Sequence, residues 1–300
     1  MNIETRVINL EDINFNDDTF KVTSYNIDQR LRESIETWGL ITQPILLKSQ
    51  NKFIIIKGHD RLKICRDFSH KEILCQIVDE VSGEFFLQQA ALALYEKKMG
   101  FFGILKTIDI GIQLHHDEQL LNSFVKFSSI PYKFINQEER KTVLKKIPLS
   151  LQAYMDSRDV NYKVVIDLMI LSDNGCRLLS EMVATYSLKV NNFKKIIDWM
   201  VDLEKNNISI DVNHCTDENE IVSALFRLRF PRFHELKGRA DEIKKKLSKK
   251  GLTIKFNESL ESSAIDLQFT IKSINDLNDS VEMIQRMDQD LVKELISILT

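Results

Sequence analysis

The chain has 300 residues, 43% of them hydrophobic and 28% charged, with only 9 Gly and 4 Pro. That balance excludes fibrous and disordered classes and favours long helices over a many-stranded β fold, spread over two or three domains. A formal net charge of -3 excludes a global positive field for nucleic acid or membrane, so any basic partner surface must be local.

Residues 7–10 read as a short strand, and Asn26 or Asp28 caps a helix to about Thr37 with Leu31 and Ile35 on one face. Gly39, just after Trp38, ends that helix in the left-handed conformation. Residues 44–48 and 53–56 predict two strands joined by a turn over 49–52, and 73–78 predict another. Lys57-Gly58-His59-Asp60-Arg61 intervenes and leads into a helix through Leu62, Ile64 and Cys65 to about Phe68. The pattern is a small mixed sheet with helices inserted, not a run of βαβ units.

From Gly83 to residue 205 the periodicity is helical, interrupted near 128–131, 147–148 and 172–175. Residues 206–219 form a polar linker or long loop, and a helix near Glu218 breaks at Pro231 and resumes to about Lys250. Strands over 252–256 and 264–271 follow, the second alternating Ile265, Leu267, Phe269 and Ile271 on one face. One amphipathic helix over 275–299 closes the chain. The fold class is therefore α+β: a small mixed-sheet domain over 1–82, an all-helical domain over 83–205, and a small α/β domain over 218–300.

Cys65, Cys75, Cys176 and Cys215 are dispersed, with no CxxC or Cys/His cluster, and are expected to be reduced structural thiols. His115-His116 before Asp117-Glu118 is metal-like in composition, but adjacent helical residues point to different faces, so no metal site is expected. The N-terminus lacks a signal peptide's apolar core and no apolar run reaches span length, so a soluble cytoplasmic protein with no membrane partner is expected.

The strongest chemical signal is a strand, a glycine turn, and then Arg61 and Lys63 opening a helix. A helix N-terminus exposes unpaired N–H groups at the positive end of its dipole. Glycine lets the backbone approach an anion, and Arg61 can grip phosphate in a two-pronged way. The plainer alternative is a strand-to-helix turn with solvated charges.

Two boxes in sequence, Gly39 with Gln43-Pro44 before a strand and Gly58 with Arg61 after one, resemble the N-terminal domain of the ParB family over roughly residues 5–80. That family shares its fold with sulfiredoxin and a free-serine kinase. The resemblance implies a nucleoside triphosphate, CTP favoured and carried with Mg²⁺, on the Gly58–Arg61 turn. The base would lie near the loop holding Thr42 and Gln43. His59 and Asp60 stand where the family has Glu and Arg, and Thr42 lengthens the first loop by one residue. A third family box, Glu-Asn-x-x-Arg, falls at 94–98, where Tyr95 replaces the Asn and only Lys98 keeps a positive charge. The implied nucleotide site is Thr42, Gln43, Gly58, His59, Asp60, Arg61, Lys63 and Lys98, with binding expected more than turnover. His59 and Asp60 are the candidate catalytic pair for a weak CTPase-like or phosphotransfer reaction.

The resemblance also implies a helix-turn-helix, which would fall near 120–147 with its turn at 128–133 and Asn136, Gln137, Arg140 and Lys141 on the reading helix. The most polarised stretch, residues 227–255, holds eleven basic residues against Glu235, Asp241 and Glu242, an excess of eight. Arg227, Arg229 and Arg232 crowd one bend there and are candidates for salt-dependent contact with a DNA backbone. The final helix–strand–strand–helix is a candidate homodimer element, because a two-stranded sheet alone is marginal. The favoured expectation is a nucleotide-gated DNA-binding or regulatory protein. Its rivals are a small-molecule kinase of the same fold and an interaction scaffold without nucleotide.

Overall fold

The computed structural model describes residues 3–23, 29–96, 99–114, 117–248, 251–260 and 262–299. The chain is α+β and divides into two compact units, Met1–Glu204 and Lys205–Thr300. The first unit opens with β1 (Ile3–Asn9), β2 (Ile13–Asn14), α1 (Gln29–Trp38), β3 (Ile45–Leu47), β4 (Phe53–Lys57), α2 (His59–Asp67) and β5 (Glu72–Val78). The strands form one mixed sheet in the order β1-β5-β3-β4-β2. β1 runs antiparallel to β5 and β3 antiparallel to β4, whereas β3–β5 and β2–β4 are parallel.

Alternation along the strands explains why this sheet is covered on both faces. Leu46, Ile55, Ile73, Cys75 and Ile77 meet Ile35 of α1 and Leu62, Ile64 and Cys65 of α2 on one side. Ile45, Ile56 and Val78 turn to the other side and pack with Phe20, Phe85 and Phe86. Gly39 ends α1 at φ 71°, as its position predicts. Two local expectations are corrected. Leu10 leaves the first strand for a short 3-10 turn (Leu10–Asp12). α2 starts at His59, so His59 and Asp60 belong to the helix's first turn. Asn26 and Asp28, the expected caps of α1, lie outside the described residues.

Helices complete the unit: α3 (Gly83–Tyr95), α4 (Phe101–Gln113), α5 (Glu118–Ser128), α6 (Gln137–Lys146), α7 (Leu149–Ser157), α8 (Lys163–Ile170), α9 (Asp173–Thr185) and α10 (Val190–Lys205). Ser82, Asp117, Asn136 and Ser172 cap α3, α5, α6 and α9 with side-chain oxygens, each satisfying first-turn N–H groups. Among the described residues no helix is long and apolar enough to cross a membrane.

The second unit holds α11 (Glu218–Arg229), α12 (Pro231–Leu247), the antiparallel pair β6 (Leu252–Phe256) and β7 (Ile265–Phe269), then α13 (Ile274–Gln285) and α14 (Gln289–Ile298). Its core joins Ala240, Ile243 and Leu247 to Leu252, Ile254, Leu295 and Ile298. The single closing helix expected over 275–299 is two helices. Asp288 accepts from the N–H groups of Asp290 and Leu291 at 3.0 and 3.2 Å, a fresh N-cap that starts α14.

Candidate functional site

The fold brings the two sequence boxes into contact. Ile45 of β3 is registered opposite Lys57 of β4, which sets Pro44 against Gly58 where the strand hands over to α2. Gly58 adopts φ 101°, a left-handed conformation that favours glycine. A Cβ on it would approach Pro44 Cβ to 3.1 Å and Arg61 Nη1 to 3.4 Å. No side chain caps α2, and α7 and α12 are likewise uncapped, so its first-turn N–H groups lack the partner that Ser82, Asp117, Asn136 and Ser172 give α3, α5, α6 and α9. Arg61 Nη1 and His59 Nε2 are both buried without a hydrogen-bond partner. Buried polar atoms left unpaired are costly, and an anion held at the helix N-terminus would satisfy the guanidinium.

Burial pushes the His59 imidazole down from 6.5 to about 4, with the Lys21 ammonium adding to the effect and Asp18 and Asp17 opposing it. His59 is therefore neutral at pH 7. Burial raises the Asp60 carboxyl, against the pull of Lys21, Lys63 and Arg61. Lys21 thus acts on both members of the candidate pair, from a loop that the sequence reading left without a role.

A groove of about 480 Å³ is lined by Asp18, Lys21 and Thr23 from that loop and by Lys106, Asp109 and Gln113 of α4, and Lys21 is ion-paired with Asp18 at 3.1 Å. Burial lowers the Lys106 pKa; Lys21 and Asp18 also act on it, as does Asp156. Asp156 is buried and accepts from the N–H groups of Phe102 and Gly103 at 2.9 and 3.1 Å, so it caps α4 from a distance in sequence. Burial raises its carboxyl to about 6 despite those two hydrogen bonds and Lys106. Lys21, Lys106, Asp17, Asp18 and Asp156 escaped sequence reasoning because each meets its partners only through the tertiary fold. The one local hint was the acid pair Asp17-Asp18 ahead of Lys21.

Of the other expected nucleotide residues, Thr42 is exposed and Gln43 half-buried in the loop before Pro44, and Lys63 is exposed on α2. Lys98 lies outside the described residues, as do His115 and His116. The four cysteines are free and buried.

Arg140 requires correction as a DNA contact. Its side chain is fully buried. Its Nε donates to Asp109 Oδ1 at 2.8 Å and its Nη1 to the Phe134 carbonyl at 3.0 Å and to the Ile135 carbonyl. Its Nη2 lies 2.7 Å from the same Asp109 oxygen, at an angle that makes an ion pair but not a second hydrogen bond. Arg140 thus ties α6 to α4 and presents no charge outward, whereas its neighbour Lys141 is exposed. The segment between α5 and α6 is also longer than a tight turn, because Ser129 goes left-handed and residues 132–135 form a 3-10 turn.

In the second unit, Arg227 and Arg232 are exposed and Arg229 is half-buried with its guanidinium 5.0 Å over the Phe230 ring. The basic excess counted along the chain is smaller at the surface. Lys237 pairs with Glu258 at 3.2 Å and Arg239 with Glu294 at 2.7 Å. Lys249 and Lys250 lie outside the described residues.

No family model matches this chain, and no curated protein does. Among solved structures it is similar to a Pnob8-like ParB-N domain at 16% identity and a TM-score of 0.30, covering 69% of this chain and 98% of that one.

Proposed function

We propose that the protein is a ParB-like nucleotide-binding regulator that holds a nucleoside triphosphate, CTP favoured, at the Gly58–Arg61 turn and contacts DNA through a separate surface. The observation that carries this reading is the pairing of two buried, unpartnered nitrogens, Arg61 Nη1 and His59 Nε2, with an uncapped helix start behind a glycine in the left-handed conformation. That combination suits a phosphate chain. Preference for CTP follows from the resemblance of the two boxes, which lie side by side at Pro44 and Gly58. Mg²⁺ would arrive with the phosphates, with Asp60 as its candidate carboxylate partner.

Phosphotransfer by His59 draws less support. A base near pKa 4 is a poor match to neutral pH, and His59 suits hydrogen bonding to a ligand better than proton abstraction. The DNA-contact part of the reading leans on Arg227, Arg229 and Arg232, with Lys141 as a further exposed cation. Self-association is assigned to α13, which exposes Ile274, Leu277, Val281 and Ile284 at spacings of three and four.

Calorimetric titration with CTP, ATP, ADP and GTP in Mg²⁺ tests the nucleotide site. Micromolar binding of one nucleotide, abolished in Arg61→Ala, is the expected result. Failure of all four to bind the wild-type protein would end this reading.

A further inference from the structure

The elbow between α11 and α12 gathers aromatic rings and arginines in one short stretch of chain. Pro231 occupies the first position of α12, where its missing N–H costs nothing, and Phe230 before it sits at φ -124° and ψ 58°, outside both helices. The bend leaves Phe230 38% exposed. Its ring centroid lies 5.0 Å from that of Phe226, and Phe226 meets Phe233 edge-on at 5.6 Å. The Arg229 guanidinium lies over the Phe230 ring, and Arg227 and Arg232 are exposed on either side. Glu235, the nearest acid along α12, comes three positions after Arg232, so the elbow keeps an excess of positive charge.

We infer that this elbow binds single-stranded nucleic acid, taking an unstacked base against the Phe230 ring and Arg229 guanidinium while Arg227 and Arg232 meet the flanking phosphates. Aromatic faces interleaved with guanidinium groups suit single strands, because every base offers a π-face and the backbone supplies regular negative charge. A duplex keeps its bases stacked and would use only the arginines, so the exposed part of Phe230 would add nothing to its binding. The inference rests on the DNA-contact part of the proposed function and is independent of nucleotide binding.

The test is fluorescence anisotropy of the full chain with a labelled oligo-dT strand and with a duplex of equal length, each at low and moderate salt. Tighter binding of the single strand is expected, with log affinity falling against log salt at a slope of about -1.4, from about two phosphate contacts. Phe230→Ala should weaken oligo-dT binding about tenfold and leave duplex binding nearly unchanged. Phe230→Leu, which keeps apolar packing and removes the aromatic face, should show the same selective loss. Arg227→Gln with Arg232→Gln should weaken both probes and flatten the salt dependence. Equal or tighter duplex binding, or an oligo-dT affinity indifferent to Phe230→Leu, would overturn the inference while leaving DNA contact standing. Binding of neither probe would remove both.

Discussion

His59 and Asp156 illustrate how single residues in the first unit carry opposite pH signatures. His59 titrates at about 4 in the folded chain against an ordinary 6.5, so the unfolded chain binds more protons between those values. Its contribution to stability is complete above about pH 6.5 and is lost as pH falls toward 4. Asp156 is raised from 3.8 to about 6, so the folded chain binds more protons across that interval. Its contribution falls as pH rises from about 4 to 6 and is constant above. The two partly cancel in the wild-type protein. Replacing His59 with Gln should therefore unmask the descending limb. Thermal unfolding at pH 4.5 and 7 should show Tm of His59→Gln gaining, relative to wild type, at the lower pH. Parallel curves for the two proteins would refute the assignment. At the same scale, the turn at Gly58 was legible in the sequence because a strand running directly into a helix calls for a tight glycine turn, and the structure adds that it is left-handed. The unpaired state of Arg61 Nη1 was not legible, since burial of a side-chain atom is set by packing and not by the local sequence.

The elements of the helical region are held by contacts that run between them. Arg140 of α6 spans to Asp109 of α4 and to the carbonyls of the 3-10 turn before it, with no exposure of its own. Removing one partner of a buried ion pair leaves the other charge stranded. Arg140→Ala should cost about 3–5 kcal/mol in denaturant unfolding, while Lys141→Ala should change stability by less than about 0.5 kcal/mol. Comparable losses from both would contradict the burial pattern. Sequence reading assigned both residues to a DNA-facing helix, since a charge alternation does not reveal which cation faces inward. The closing helices carry a similar lesson in reverse. Asp288 two residues before Asp290 is a readable cap, yet the apolar periodicity from 274 to 298 masked it. Helix breaks at Pro231 and after Ser128 were legible, because proline and turn residues act on the backbone next to them.

At the scale of the molecule, the α+β architecture and the exposed stripe on α13 bear on assembly. Ile274, Leu277, Val281 and Ile284 lie on one face of α13, each at least 47% exposed. Val281→Glu with Leu277→Glu should convert a dimer to a monomer in analytical ultracentrifugation, with the far-ultraviolet spectrum unchanged. A wild-type chain that sediments as a monomer at micromolar concentration would sink the assignment. The sequence by itself determined most of the order of strands and helices, short of β2 and the division of the closing helix, together with the left-handed Gly39, the glycine turn at 58 and the change from mixed sheet to helices near Gly83. Those features follow from signals that act within a few residues: periodicity, caps, glycine and proline. Only the tertiary structure decided that Pro44 meets Gly58, that Lys21 reaches the field of His59, that Asp156 caps α4 and that Arg140 is buried. Such pairs are far apart in the chain, and no local propensity encodes them. Packing of the sheet against its helices brings them together, and the low polarity of that interior then sets how each charge behaves.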